Sequence, residues 1–152
     1  MKLSSETLAV LKNFVSINAS IEFKTGNKLA TISPTKTVLA KATIKDEFPQ
    51  AFCVYDLNQF LSVHSLNKDT ELDFDDKNII FKAGKQKIKY RKTEKSMIVT
   101  PPEKELKLPS AEISFSLSED ELSSIMKTAA VLQSPNISVE SDGDTVYIVA
   151  SN

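Results

Sequence analysis

The sequence predicts an α+β fold assembled from repeated strand–helix–strand–strand–strand units, each called a repeat below. Three times an apolar residue directly precedes a helix-capping residue, and an amphipathic helical stretch follows each cap. Alternating strands with turn residues between them follow each helical stretch. The pattern recurs at roughly 50 residues, which is typical of modular arrays. At 152 residues, with 41% hydrophobic and 26% charged residues, the chain is long and apolar enough to bury a core.

Each predicted helix begins at a side chain that can accept a hydrogen bond from its first turn. The caps are Ser4, Asp56 and Ser118; Ser118 with Glu121 reads as a full capping box, and Asp56 with Gln59 as a looser one. The three-and-four spacing gives each helix an apolar face. The inward residues are Leu8, Leu11, Phe14 and Val15 in the first helix, Leu57, Phe60 and Leu61 in the second, and Leu122, Ile125, Met126 and Ala129 in the third.

Strands with a two-residue alternation follow each helix, and turn residues join them into antiparallel hairpins. In the first repeat, Ile21 and Phe23 lead through Thr25-Gly26-Asn27 to residues 28–32, and then to residues 38–44. The second and third repeats follow the same plan, with strands at 72–74, 79–81, 88–90, 137–139 and 146–150. The third repeat ends after two of its three hairpin strands.

The linker between the second and third repeats is rich in proline and charge, beginning at Pro101-Pro102. We therefore expect a first domain of two repeats at residues 1–100 and a linker at 101–112. Residues 113–152 are then expected to form the first half of a second, incomplete domain.

Few residues in the chain can support catalysis. There is one cysteine, one histidine and no tryptophan, and no nucleotide-binding, zinc-protease or CxxC motif occurs. His64 falls on the apolar stripe of the second helix, so we expect it at the edge of the core with one ring nitrogen satisfied. Cys53 is expected to be a small core residue. We expect the chain to have no enzymatic activity, no cofactor and no metal site. The alternative, a hydrolase that uses His64, would need that residue exposed in a cleft.

Two stretches of the sequence resemble the sliding clamps of T-even-type bacteriophages, which are DNA polymerase processivity factors. One comprises Met1-Lys2-Leu3-Ser4, Leu11-Lys12-Asn13-Phe14 and Ile17-Asn18, and the other comprises Tyr55-Asp56-Leu57-Asn58, Phe60-Leu61 and Ser65-Leu66. The resemblance implies a DNA-clamp-like fold with antiparallel sheets outside and helices inside. It also implies two such domains per subunit, and a homotrimeric ring around duplex DNA.

The same resemblance implies partners and a location. The partners are duplex DNA, which is bound without sequence preference, a DNA polymerase, and a clamp loader that hydrolyses ATP. The location is the cytoplasm of an infected bacterium. No apolar stretch is long enough to span a membrane. Half of the family's second domain has no counterpart in this sequence. We therefore expect that this chain forms no closed trimer in dilute solution.

The helix faces opposite the apolar stripes are the candidate DNA surface that the resemblance implies. A clamp that slides needs diffuse attraction to phosphates without base contacts. The residues expected to face DNA are Lys12, Asn13, Ser16, Ser62 and Lys127. An ordinary solvated helix face is the alternative reading. Leu106 and Leu108 in the linker are candidates for a partner-peptide pocket, or they dock onto the protein's own sheets.

The densest positive charge lies elsewhere, between Lys82 and Lys95. Alternation places Lys85, Lys87, Lys89 and Arg91 on one strand face, with Ile88 and Tyr90 opposite. A small β-rich module that binds nucleic acid directly through residues 82–95 is therefore the alternative function. Lysines that protect an exposed strand edge from pairing explain the same pattern. The net charge of −1 provides no overall attraction to DNA.

Overall fold

The computed structural model describes residues 1–104, 109–111 and 114–152. They belong to two compact bodies, Met1–Lys104 and Glu105–Asn152, called the N-terminal and C-terminal bodies below. Both contain helices and antiparallel sheets, so the α+β prediction is confirmed. No helix in the described part of the chain is long and apolar enough to cross a membrane.

The N-terminal body contains two helices and seven strands among its described residues. They are α1 (Ser5–Val15), β1 (Ile21–Phe23), β2 (Gly26–Ile32), β3 (Leu39–Phe48), β4 (Phe52–Val54), α2 (Leu57–Ser65), β5 (Glu71–Phe74), β6 (Asn78–Ala83) and β7 (Gln86–Arg91), followed by a short 3-10 helix, Lys95–Met97. The C-terminal body contains α3 (Glu119–Val131), β8 (Asn136–Ser141) and β9 (Val146–Ser151).

All three predicted caps hold the first turns of their helices. Ser4 Oγ accepts from the Thr7 backbone N–H at 3.2 Å, and an Asp56 carboxylate oxygen accepts from that of Gln59 at 2.8 Å. Ser118 and Glu121 form the complete reciprocal box. These contacts satisfy N–H groups that have no partner inside the helix.

A carboxylate from β3 reinforces the first cap. Asp46 accepts from the Ser4 backbone N–H at 2.7 Å and from its hydroxyl at 2.8 Å. Burial raises the pKa of Asp46, but hydrogen bonds from Thr7 and Ser4 outweigh it, so the pKa lies below its ordinary value. The start of α1 is thereby tied to the sheet.

The hairpins of the second and third repeats are confirmed, whereas the first predicted hairpin is wrong. Strands β5, β6 and β7 form an antiparallel sheet, and β8 pairs with β9. Strand β1 instead pairs with β4, and Thr25-Gly26-Asn27 is not a hairpin turn. Gly26, at φ 102°, pairs with Phe48 beside a register shift, so the irregular backbone there takes β2 to β3 rather than back along β1.

The first two repeats exchange their leading segments. The leading strand of the second repeat, β4, pairs with β1 of the first repeat. In return, the backbone N–H of Leu72 donates to the Met1 carbonyl at 2.7 Å, and the Met1 nitrogen donates to the Leu72 carbonyl at 2.6 Å. Each repeat therefore needs the other to complete its sheet. The three apolar residues that precede the caps, Leu3, Tyr55 and Leu117, all lie outside regular strands, but the residues directly before Tyr55 form β4.

One apolar core joins both repeats of the N-terminal body. Phe14 of α1 and Phe60 of α2 belong to the same buried cluster. Phe23 stacks on Phe52, with ring centroids 4.5 Å apart. The predicted inward faces of α1 and α2 are therefore confirmed, with Leu8 and Val15 only partly buried.

The inward face predicted for α3 is largely wrong among the described residues. Ala129 is buried, but Leu122 and Met126 are 49% and 54% exposed, and Ile125 is half-buried. Among the described residues of the C-terminal body, only the β8–β9 hairpin provides sheet for the helix, and two strands are too narrow to cover a complete helix face.

Candidate functional site

A groove between α1 and α2 brings two of the predicted DNA-facing residues together. Lys12 of α1 and Ser62 of α2 line it, and its volume is about 350 Å³. Val15 and Leu61 supply its apolar lining. Asn58 and Ser65 of α2 also line it, and neither is among the residues expected to face DNA. Asn13 and Ser16 are exposed nearby on α1.

The serine hydroxyls of this surface donate to their own helices. Ser16 Oγ donates to the Asn13 carbonyl at 2.6 Å, and Ser62 Oγ donates to the Asn58 carbonyl at 2.9 Å. Ser65 Oγ donates to the Ser62 carbonyl at 2.8 Å. These hydroxyls have therefore already used the one proton each could donate to an anion.

Lys12 is the cation of the groove, and it has no carboxylate partner within the described residues. The ion pairs of the N-terminal body involve other lysines, namely Lys2, Lys45, Lys82 and Lys95. An exposed, unpaired ammonium attracts phosphate over the Debye length rather than by a fixed contact.

Two predicted sites belong to other parts of the chain. Lys127 is exposed on α3 of the C-terminal body, whose first turn carries Glu119, Asp120 and Glu121. The partner-pocket candidates Leu106 and Leu108 lie outside the described residues.

The basic strand face has the predicted alternation. On β7, Lys87, Lys89 and Arg91 are exposed, whereas Ile88 and Tyr90 are half-buried against the core. Lys85 is exposed in the turn before β7. Since β7 ends the order β5-β6-β7, the stripe lies on the terminal strand of that sheet.

A second groove, between α2 and β7, was not predicted from the sequence. Its volume is about 560 Å³, and Tyr55, Val63 and Ile88 line it together with Lys89 and Arg91. Tyr90 also lines it and donates its hydroxyl hydrogen to the Asp56 carbonyl at 3.0 Å. Burial, followed by the charge of Asp56, raises the pKa of Tyr90. The sequence predicted only the exposed basic face of β7, and not a groove between that strand and α2.

His64 is buried as predicted, but neither ring nitrogen makes a hydrogen bond within the described residues. The imidazole packs edge-on to Phe81, and its Nε2 atom is buried without a partner. Burial lowers the pKa of His64. The hydrogen bond expected for one ring nitrogen therefore has no protein partner among the described residues. A buried imidazole is also poorly placed for hydrolysis.

Cys53 is buried in β4, as predicted for a small core residue. Burial, followed by the charge of Glu22, raises the pKa of the thiol, so it stays protonated at neutral pH. No three metal-ligating side chains cluster in the ranges that the structure covers.

The segment after β7 is fastened across β4 and β1. Thr93 pairs with Cys53, and Lys95 bridges Glu22 at 2.9 Å and Glu103 at 3.5 Å. The buried Asn18 amide donates to the carbonyls of Ile32 and Val99. These contacts fix the path by which the chain leaves the N-terminal body.

The chain is similar in sequence to known proteins. The profile of a family described as DNA polymerase processivity factor matches residues 3–100. The sliding clamp of Vibrio phage KVP40 is 32% identical over 155 residues, which cover 99% of this chain and 70% of the relative. The sliding clamp of Escherichia phage RB69 is 32% identical over 100% of this chain and 67% of its own length. That of Enterobacteria phage T4 is 33% identical over 91% of this chain and 61% of its own length.

Proposed function

Because the chain belongs to the family of DNA polymerase processivity factors, its function is that of a sliding clamp, and we propose that it tethers a replicative polymerase to duplex DNA that it encircles. Members of such a family are accessory proteins, and we assign this chain no reaction and no cofactor of its own. A topological tether holds the polymerase without tight DNA contacts, so a surface that attracts phosphate weakly suits the task.

The groove between α1 and α2 is the observation that supports this proposal. Its cation, Lys12, is unpaired among the described residues, and the hydroxyl protons of Ser62 and Ser65 are held by their own helix. Such a surface offers long-range attraction but few donors that could fix a phosphate in place. Asn13 and Ser16 beside it and Lys127 on α3 are part of the same proposal, as residues that face DNA.

Assembly and loading belong to the proposal as well. We assign the chain a polymerase and an ATP-dependent clamp loader as partners, and a ring of three subunits as the assembly in which the family works. The pocket for partner peptides is proposed near Leu106 and Leu108, and the site of action is the cytoplasm of the infected bacterium. Sedimentation at micromolar concentration tests the assembly: a stable trimer would contradict our expectation that this chain alone forms a monomer or weak dimer.

The DNA-facing assignment is tested by replacing Lys12 and Lys127 with Glu. Two substitutions of two charge units each place carboxylates where phosphates pass, and threefold symmetry would repeat them around a ring. Primer extension on a primed circle, with polymerase, loader, ATP and a ring-forming version of the chain, should give shorter products. The loss should be larger at low salt, where the Debye length grows from about 10 Å at 0.1 M to about 30 Å at 0.01 M.

Replacement of Lys85, Lys87 and Lys89 with Glu is the matched control. These lysines lie on or beside β7 and not on the helix groove, so product length should change far less. If the β7 variant shortens the products and also binds short linear DNA less tightly than the wild type, while the helix variant does neither, the DNA-facing assignment is inverted. The module that binds nucleic acid through residues 82–95 would then be the better proposal, and it predicts salt-sensitive binding to short linear DNA.

A further inference from the structure

The outward face of the β5-β6-β7 sheet carries a row of cations that have no carboxylate partner in the described part of the chain. Residues paired across antiparallel strands lie on the same face. Lys87 is opposite Lys82, Lys89 is opposite Ile80, and Arg91 is opposite Asn78. Among the described residues, Lys87, Lys89 and Arg91 form no ion pair, in contrast to Lys82, which pairs with Asp73. We call Lys85, Lys87, Lys89 and Arg91 the basic row.

The basic row is only one strand wide. On the same face, β5 places Glu71 opposite Lys82 and Asp73 opposite Ile80. Since β5 lies two strand spacings from β7, the strand that carries these carboxylates is about 9.6 Å from the strand that carries the basic row. A ligand must therefore be narrow to meet the cations without also meeting the carboxylates.

We propose that the basic row is a docking surface for an acidic, extended protein segment. Alternate residues of a strand lie about 6.6 Å apart, so an extended peptide with a carboxylate at every second position matches the row in both spacing and charge. Ile80, half-buried beside Lys89, offers such a peptide an apolar contact. The surface is independent of the helix groove assigned to DNA, so the proposal goes beyond the clamp function.

Nucleic acids fit this face less well than an acidic peptide. The grooves of a duplex alone measure about 12 and 6 Å across, so a duplex seated on β7 would overlie the carboxylates of β5. Single strands bind proteins largely by stacking bases on aromatic side chains. The cross-strand sets of this face contain no aromatic residue, because Phe74, Phe81 and Tyr90 belong to the opposite face. Tyr55 is exposed in the groove beside Lys89 and Arg91, but a single ring stacks a single base rather than a strand.

The proposal is tested with a fluorescein-labelled ten-residue peptide of alternating Glu and Thr, titrated with the full chain and followed by fluorescence anisotropy. Binding should be saturable at 20 mM salt and should weaken as salt screens the pairs. A peptide with Gln in place of Glu should not bind. Unlabelled peptide should displace the probe more effectively than a short duplex or oligo-dT at equal charge.

Two charge-matched variants decide whether the basic row is responsible. Replacing Lys87, Lys89 and Arg91 with Glu should weaken the peptide at least about tenfold, because three surface pairs are lost and become repulsive. Replacing Lys24, Lys28 and Lys41 with Glu, which are exposed lysines outside the row, changes the total charge equally and should change affinity less than about twofold. The proposal would be overturned if the peptide did not bind, or if both variants lost peptide affinity equally. It would also be overturned if DNA bound more tightly than the peptide and the row variant abolished that DNA binding. Circular dichroism confirms that both variants are folded.

Discussion

At the scale of single residues, the imidazole of His64 links the stability of the protein to pH. Its buried Nε2 atom has no partner among the described groups, and burial holds its pKa below the ordinary value. The folded state therefore takes up the proton less readily than the unfolded state. Stability that is present above the unfolded pKa of about 6.5 is lost as pH falls toward the folded pKa.

We predict that urea unfolding at pH 5.5 shows a lower midpoint than at pH 7.5. A difference of one pKa unit corresponds to about 1.4 kcal/mol. Ordinary carboxylates stay ionised in this window, so His64→Leu should remove most of the difference. An unchanged pH dependence in His64→Leu would mean that another group titrates there.

At the scale of elements, α1 and α2 occupy equivalent positions in two repeats that share one core. Phe14 and Phe60 are 4% and 0% exposed and contribute to the same cluster. We predict that Phe14→Ala and Phe60→Ala each lower the free energy of unfolding by about 3–5 kcal/mol, because each leaves a cavity. Chemical denaturation followed by circular dichroism measures the change.

Lys12→Ala is the control for these two variants. Its side chain is exposed on α1 and makes no ion pair within the described residues, so it should leave the unfolding midpoint nearly unchanged. If both phenylalanine variants unfold at the wild-type midpoint, the equivalence of the two repeats is wrong.

Local signals in the sequence predicted the helices well, because caps and apolar spacing act within one or two turns. Ser4, Asp56 and Ser118 all cap where expected. The partner of β1 was mispredicted because pairing with β4 depends on residues about thirty positions away, whereas a Gly-Asn dipeptide suggests a local hairpin. Alternation alone does not choose between the two partners.

The candidate site was predicted in part for the same reason. Helical spacing placed Lys12 and Ser62 on outward faces, and the structure joins them in one groove because α1 and α2 pack side by side. The groove beside β7 was missed, since it requires α2 and β7 to lie next to each other. The hydrophobic periodicity of α2 or of β7 gives no information about a contact between the two elements.

At the scale of the whole molecule, the two bodies differ in how much apolar surface they bury. The described N-terminal body holds one cluster from both repeats, whereas the described C-terminal body buries Ala129 and leaves Leu122, Met126 and Tyr147 exposed. Hydrophobic burial scales with apolar area removed from water, so the C-terminal body should be the less stable one.

We predict that the C-terminal body opens first on heating or under protease. Limited proteolysis should leave a resistant fragment that ends near residue 104, and hydrogen exchange should be slower in β1–β7 than in β8 and β9. Uniform protection of both bodies, with a single calorimetric transition, would contradict this prediction.

The exchange of leading segments has a consequence for synthesis on the ribosome. Met1 bonds to Leu72 and β1 pairs with β4, so the segment at Met1 meets its partner about seventy residues after it is translated, and β1 meets its partner about thirty residues after. Chain elongation proceeds at about 5–20 residues per second, so both segments stay unpaired for seconds. Apolar side chains such as Ile21 and Phe23 are meanwhile open to chaperones, and the sheet closes only once the second repeat has emerged.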